Sequence, residues 1–200
     1  MDTQTLQAYD SDAARFAQEW NEQAAPADMY DLLLRYFRQG PTADIGCGSG
    51  RDLAWLLVHG YEARGFDASE ALLGQARLMY PALDFTLAEL PELKGVEQNF
   101  YENVLCETVI MHLEPQAIGA AVRSLFRLLR SGGTLYLSWR VTEHASQRDQ
   151  LGRLYSAFGK TEVVDALGKE AAILFDSEDL SLSSGKRVHR LIVRKAGRTT

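Results

Sequence analysis

Residues 42–52, TADIGCGSGRD, set Gly46, Gly48 and Gly50 at alternate positions behind a short apolar run that carries Asp44. Leu53, Leu56 and Leu57 follow at helical spacing, so the stretch reads as strand, tight turn and helix. Such turns often cradle phosphates, but a phosphate loop needs Gly-Lys-Ser/Thr after its first glycine, and none is present. A dinucleotide turn needs GxGxxG, and the third glycine position is held by Arg51, whose side chain disfavours NAD. What remains is a turn whose backbone amides, at a helix N-terminus, can receive a single carboxylate.

Outward from this loop the chain alternates between helix and strand. Upstream, Ala13, Phe16, Ala17 and Trp20 share one helical stripe. Met29, Leu32, Leu33 and Tyr36 share a second, begun near Pro26 and stopped by Gly40-Pro41, so two helices are expected before the loop. Downstream, the leucine-marked helix ends at Gly60 and YEARGFD (61–67) reads as a strand. Glu70 to Met79 reads as a helix, LDFTL (83–87) as a short strand and YENVLCE (101–107) as an apolar strand. From Pro115 to Arg130 a long helix keeps Arg123, Arg127 and Arg130 on one polar stripe, with Gly132-Gly133 as its cap before the strand TLYLSW (134–139). This β-α-β-α order is the pattern of an α/β fold with a parallel sheet covered on both faces. The tail adds a helix around Glu162 to Leu167, then AAILF (171–175) and RVHRLIVRK (187–195), a helix-free pair that can join a sheet only antiparallel.

Composition narrows the function classes. The chain has 200 residues, 46% hydrophobic and 24% charged, ordinary for one soluble domain with a sizeable core. A net charge of -6 gives no footprint for wrapping nucleic acid. Cys47 and Cys106 have no CxxC spacing, so neither a disulfide framework nor a zinc site is encoded, and a reducing cytoplasm fits. The start, MDTQTLQAYDSD, lacks a charged region followed by an apolar one, and no apolar run would span a bilayer, so neither export nor a membrane location is expected. His59, His112, His144 and His189 form no metal-ligand spacing, and no metal is expected.

GFDAS (65–69) puts Asp67 at the carboxyl end of the next strand, where a doubly wound sheet positions a carboxylate for two ribose hydroxyls. A ribose and a carboxylate without a diphosphate suggest an amino-acid nucleoside such as S-adenosylmethionine (SAM). From about Thr42 to Trp139 the chain resembles the class I SAM-dependent methyltransferases. ADIGCGSG looks like their first motif, GFDAS their second, LAELPEL (87–93) their third, and NVLCETVIMHLEP with LFRLLRSGGTLYLSW their fourth strand, following helix and fifth strand. Within the class, the glycine run and the MHLEP segment are similar to small-molecule enzymes, including the tellurite-resistance type. The resemblance implies a seven-stranded sheet with an antiparallel last strand, which suits the tail. It implies that residues 1–40 form a helical cap, 41–140 the SAM-binding core and 141–200 the acceptor side of a single domain.

The same resemblance implies roles. Gly46, Cys47 and Gly48 hold the methionine moiety through the loop backbone, Asp67 with Ala68 binds the ribose, and the third-motif acid meets the adenine. Here the chain departs from the pattern, with Ala88 followed by Glu89 where many members carry aspartate, so Glu89 and Leu90 stand as the adenine-side candidates. Asp44 can bond loop amides or the ligand ammonium; Arg51 either reaches the ligand carboxylate or lies on the helix surface. Asp67 has an alternative as a helix N-cap, a role Ser69 can fill. Glu107 ends a strand at the sheet's carboxyl edge, where α/β ligands sit. His112 has the chemistry of a base near neutrality, and also that of a packing or capping residue. Both cysteines read as small core hydrophobes. Tyr9, Phe16 and Trp20 make an aromatic set ahead of the sheet, with Tyr9 before the helix, and Tyr9 and Trp20 are expected in a lid over the cofactor. The implied reaction is methyl transfer to a small-molecule acceptor by in-line displacement. A non-catalytic SAM-binding partner protein and an NAD-dependent oxidoreductase are the alternatives.

Overall fold

The computed structural model describes residues 1–197 and places the glycine-loop unit at the centre of a seven-stranded sheet. Its strands are β1 (Pro41–Ile45), β2 (Glu62–Asp67), β3 (Phe85–Leu87), β4 (Tyr101–Cys106) and β5 (Leu129–Arg140), and, from the tail, β8 (Ala171–Leu180) and β9 (Arg187–Lys195). Two short strands between them, β6 (Gln147–Arg148) and β7 (Leu154–Tyr155), pair only with each other. The sheet order is β3-β2-β1-β4-β5-β9-β8, parallel from β3 through β5, with β9 antiparallel to both neighbours. The antiparallel last strand is therefore present, as the helix-free tail pair requires. The chain winds outward from β1 through β2 to β3, then crosses to β4 on the other side. That reversal opens a crevice at the carboxyl ends of β1 and β4, the place where open α/β sheets receive ligands.

Strand periodicity decides the two cores. Val104 and Cys106 of β4 face one side with Leu135 and Leu137 of β5, covered by Ile118, Ala121, Val122 and Leu125. Leu105 and Tyr136 face the other, covered by Met29, Leu33, Leu53, Leu56 and Leu73. Every residue of β4 is buried, as a parallel central strand with helices on both faces demands. The covering helices are α3 (Ala27–Tyr36), α4 (Arg51–Val58) and α5 (Glu70–Met79) on one face, α6 (Pro115–Leu128) and α7 (Lys160–Leu167) on the other. Among the described residues no helix is long and apolar enough to cross a membrane.

Three expectations about local structure change. The segment ahead of Ala13 is itself a helix, α1 (Thr3–Ser11), so three helices precede the loop, with α2 (Ala13–Glu22) between α1 and α3. Its signal is a cap rather than a periodicity, since Asp2 accepts from the Thr5 amide at 2.8 Å. Second, α6 stops at Leu128, because Leu129 already pairs with Tyr101 of β4, and Arg130 leaves the helical stripe for an ion pair with Glu102. Gly132-Gly133 then lie inside β5, where the pairing with β4 jumps from Tyr101↔Leu129 to Asn103↔Thr134. Third, the β6–β7 ribbon stands where no element was read.

Candidate functional site

The turn after β1 is held by its neighbours on both sides. The Gly46 and Cys47 amides donate to the Phe66 carbonyl at the end of β2, at 2.7 and 3.1 Å. Gly48 has φ +53°, and a Cβ there would lie 2.9 Å from Cζ3 of Trp20. The glycine thus admits the indole of α2 against the loop backbone as much as it admits a ligand. Arg51 secures the same contact by donating to the Trp20 carbonyl at 3.1 Å while pairing with Asp52 at 2.9 Å. Asp52 also accepts from the Tyr30 hydroxyl at 2.7 Å.

Asp67 ends β2 beside this turn. Its two carboxylate oxygens accept from the Gly48 and Ser69 amides, both at 2.9 Å, and the residue is buried. Ser69, not Asp67, caps α5 by accepting from the Leu72 amide at 3.0 Å. Burial pushes the Asp67 carboxyl up, and the loop amides pull it back. Asp44, two residues before the turn, is buried, and its carboxyl is pushed far up by burial and then by Asp52 and Asp67. Its Oδ2 has no hydrogen-bond partner among the described residues. Glu107, at the end of β4, takes the Ser138 hydroxyl and is raised mainly by burial. Burial likewise raises both thiols, which removes thiolate character from Cys47 and Cys106.

The glycine turn, Asp67 and Glu107 open onto a cleft of about 390 Å³, within the size range of small-ligand sites. Gly46, Cys47, Gly48, Arg51, Asp67 and Ala68 line it on the loop side, with Leu90 and Glu107. Tyr9, Trp20 and His112 line it from the other elements. Asp44 and Glu89 do not: Asp44 is buried, and Glu89 is exposed and accepts from the Met1 nitrogen at 2.6 Å. Tyr9 lies on α1 rather than ahead of a helix, its ring edge-on to Phe16 at 5.0 Å and 5.9 Å from Trp20. Phe16 and Ala13 pack on Leu72 of α5, so α1 and α2 lie across the mouth beside the glycine turn.

His112 is occupied at both ring nitrogens. Nδ1 donates to the Leu154 carbonyl at 2.6 Å, which leaves Nε2 to accept from the Tyr9 hydroxyl at 2.9 Å. Burial pushes its pKa down to about 4. An unfolded histidine titrates near 6.5, so the unfolded chain takes up a proton between pH 6.5 and 4 that the folded chain refuses. The stability from a neutral His112 is thus full above pH 6.5 and falls as pH drops toward 4, by about 3 kcal/mol at most. Urea unfolding at pH 7, 5 and 4 is expected to show a steeper acid loss in the wild type than in His112→Gln. Taking the difference cancels the buried carboxylates, and parallel curves would overturn the buried neutral histidine.

Arg140, Arg153 and Tyr155 also line the cleft and were not singled out from the sequence. Arg140 ends β5, so the strand-end rule applied to Glu107 also reaches it. Arg153 and Tyr155 come from the unforeseen ribbon.

Residues 43–133 match the family described as "Methyltransferase domain". The match spans the glycine turn, Asp67, Glu107 and His112. This match, together with the seven-stranded sheet, supports a class I SAM-dependent methyltransferase domain. SAM is the cofactor of that class, and the cleft fits it in two respects: a glycine turn brings backbone to its wall, and a buried carboxylate, Asp67, is held there by two amides. A methyltransferase-named protein of Geobacillus sp. (strain WCH70) is 28% identical over 138 residues, 64% of this chain and 55% of that one. The ubiquinone biosynthesis O-methyltransferase of Dechloromonas aromatica (strain RCB) is 26% identical over 63% of this chain and 53% of its own. The chain therefore spans about half the length of these curated relatives. Among solved structures, the 1,6-didemethyltoxoflavin-N1-methyltransferase of Burkholderia thailandensis, bound to 1,6-didemethyltoxoflavin and S-adenosylhomocysteine, shares the fold of the methyltransferase domain. Its TM-score is 0.73 at 21% identity, covering 96% of this chain and 88% of that one.

Proposed function

We propose that this chain transfers a methyl group from SAM to a small-molecule acceptor by in-line displacement in the cleft. Bound there, SAM supplies an electrophilic methyl on a sulfonium whose leaving group is a neutral thioether. The chain's own work is to bind, align and exclude water. The observation that carries this reading is Asp67, a buried carboxylate held by the Gly48 and Ser69 amides and opening on the cleft, which suits two neighbouring ribose hydroxyls. The Gly46 to Gly48 turn then takes the amino-acid end, with Arg51 near its carboxylate, while Asp44, two residues before the turn, stays outside the cleft lining. Ala68 borders the ribose, and Leu90 with Ala88 offers an apolar wall to the adenine, with Glu89 beside it. Residues 1–40 serve as cap, 41–140 as cofactor core and 141–200 as acceptor side. The relatives named for ubiquinone biosynthesis and didemethyltoxoflavin support a small-molecule acceptor, and a cytoplasmic setting suits the two unpaired thiols.

Calorimetry with SAM and S-adenosylhomocysteine is the test, followed by incubation with methyl-labelled SAM and a cell extract fractionated by size. Binding with label in the low-mass fraction is the expected result. Binding with no transfer to any fraction favours a non-catalytic SAM-binding protein, and absence of binding overturns the proposal.

A further inference from the structure

The cleft is lined by both signs of charge, and not every cation in it is paired. Asp52, Asp67 and Glu107 line it with Arg51, which Asp52 pairs, whereas Arg140 from the end of β5, Arg153 from the ribbon and Lys186 from the turn after β8 add three more cations. Arg153 is matched by Asp149 at 2.7 Å. Arg140 has no such partner. It is half-buried at the carboxyl end of β5 with its guanidinium 4.8 Å from the Tyr155 ring centroid, and among the described residues no carboxylate pairs with it. Lys186, in the turn between β8 and β9, also has no ion pair among the described residues. The Val141 amide, donating to the Arg187 carbonyl at 3.0 Å, holds that turn alongside β5. A half-buried guanidinium without a counter-charge is a fork of donors shaped for a carboxylate or phosphate.

Beside Arg140 the wall is aromatic. Tyr9 and Tyr155 stand edge-on to His112 at centroid distances of 5.6 and 5.0 Å. His112 itself offers no free nitrogen to an incoming hydroxyl, since Leu154 and Tyr9 hold both. With no free histidine nitrogen, the site suits a nucleophile that arrives ionised, or that the nearby cations help to ionise.

On the methyltransferase reading, we infer that the acceptor is a small organic anion, a carboxylate or phosphate on an aromatic body, with its acidic group held by Arg140 and Lys186.

The experiment uses protein saturated with S-adenosylhomocysteine and matched probe pairs: 4-hydroxybenzoate with 4-hydroxybenzamide, salicylate with salicylamide, and phenyl phosphate with phenol. Calorimetry or ligand-observed magnetic resonance gives the affinities for wild type, Arg140→Gln, Arg140→Lys and Lys186→Gln. Within at least one pair, the anion is expected to bind about tenfold or more tightly than its neutral partner. Arg140→Gln removes that preference, Arg140→Lys retains part of it, and Lys186→Gln weakens it less. Comparing phenyl phosphate with the two carboxylates tells which acid the fork prefers. Equal binding within every pair, no anion binding at millimolar concentration, or an unchanged preference in Arg140→Gln overturns the inference. S-adenosylhomocysteine binding is measured first. Its absence in the wild type defeats the methyltransferase reading itself, whereas its presence without anion preference defeats only the acceptor class.

Discussion

Asp67→Ala is expected to weaken SAM binding by about 30- to 1000-fold, the loss of two charge-assisted hydrogen bonds worth about 2 to 4 kcal/mol together. The geometry adds a second consequence. The same carboxylate accepts from the Gly48 and Ser69 amides, so alanine also strands two buried donors and loosens the glycine turn. The two effects separate by measurement. Stranded amides lower the melting temperature of the unliganded protein, whereas the lost ribose contact shows in the further rise that SAM produces. Asp67→Glu restores a carboxylate and should recover part of the affinity. Calorimetry giving wild-type affinity for a folded Asp67→Ala protein would remove the ribose assignment. Gly48→Val is a less clean probe of ligand approach than the turn alone suggests, because its side chain meets the Trp20 ring first.

Deleting residues 1–12 is expected to leave the sheet folded, to weaken SAM binding about tenfold or more and to speed its exchange. No strand of the sheet is touched, but the polar clasps of this segment disappear, including those of the Met1 nitrogen to Glu89 and the Leu90 carbonyl and of the Asp2 amide to the His112 carbonyl. Asp2 pairs with Arg148 at 2.8 and 2.9 Å, and the Thr5 hydroxyl accepts from the Leu154 amide at 2.8 Å. Tyr9 donates to His112 at 2.9 Å, and Ser69 to Asp10 at 2.5 Å. Tyr9 also supports the Phe16 and Trp20 rings, so the indole over Gly48 loses a wall. Hydrogen exchange with and without SAM is the direct measurement. The lid assignment predicts extra protection in residues 1–24 on binding. Identical protection in both states, with a truncated protein that binds SAM as tightly as the full chain, would make the segment an ordinary part of the fold.

How much was legible depends on how local each signal is. Strand β1, helices α3, α4 and α5, and the antiparallel tail could be read because each carries its own periodicity and punctuation within about a dozen residues. The glycine turn and Asp67 were legible for the same reason. The end of α6 was not, since Leu128-Leu129-Arg130 continues a helical pattern and only pairing with Tyr101 turns it into strand. Helix α1 was missed because TQTLQAYDS has no apolar stripe, and its support comes from the Asp2 cap and from packing on α5. The resemblance implies an adenine-side acid near Glu89, whose carboxylate accepts from the Met1 nitrogen while its neighbour Leu90 lines the cleft.

By itself the sequence determined the parallel α/β sheet, the tight turn after β1, the carboxylates at the ends of β2 and β4 and the direction of the last strand. Hydrophobic period, glycine placement and strand-end position are local quantities, written within single elements. Only the tertiary structure decided that His112 is held by Tyr9 and Leu154, that Trp20 lies on Gly48, and that Arg140 stands without a counter-charge beside Tyr155. Each of the first two joins elements far apart in the chain, Tyr9 and His112 being 103 positions apart, and the third depends on which carboxylates the fold leaves out of reach. Whether a side chain is a base, a brace or a ligand fork is set by its partners, and those partners are chosen by packing.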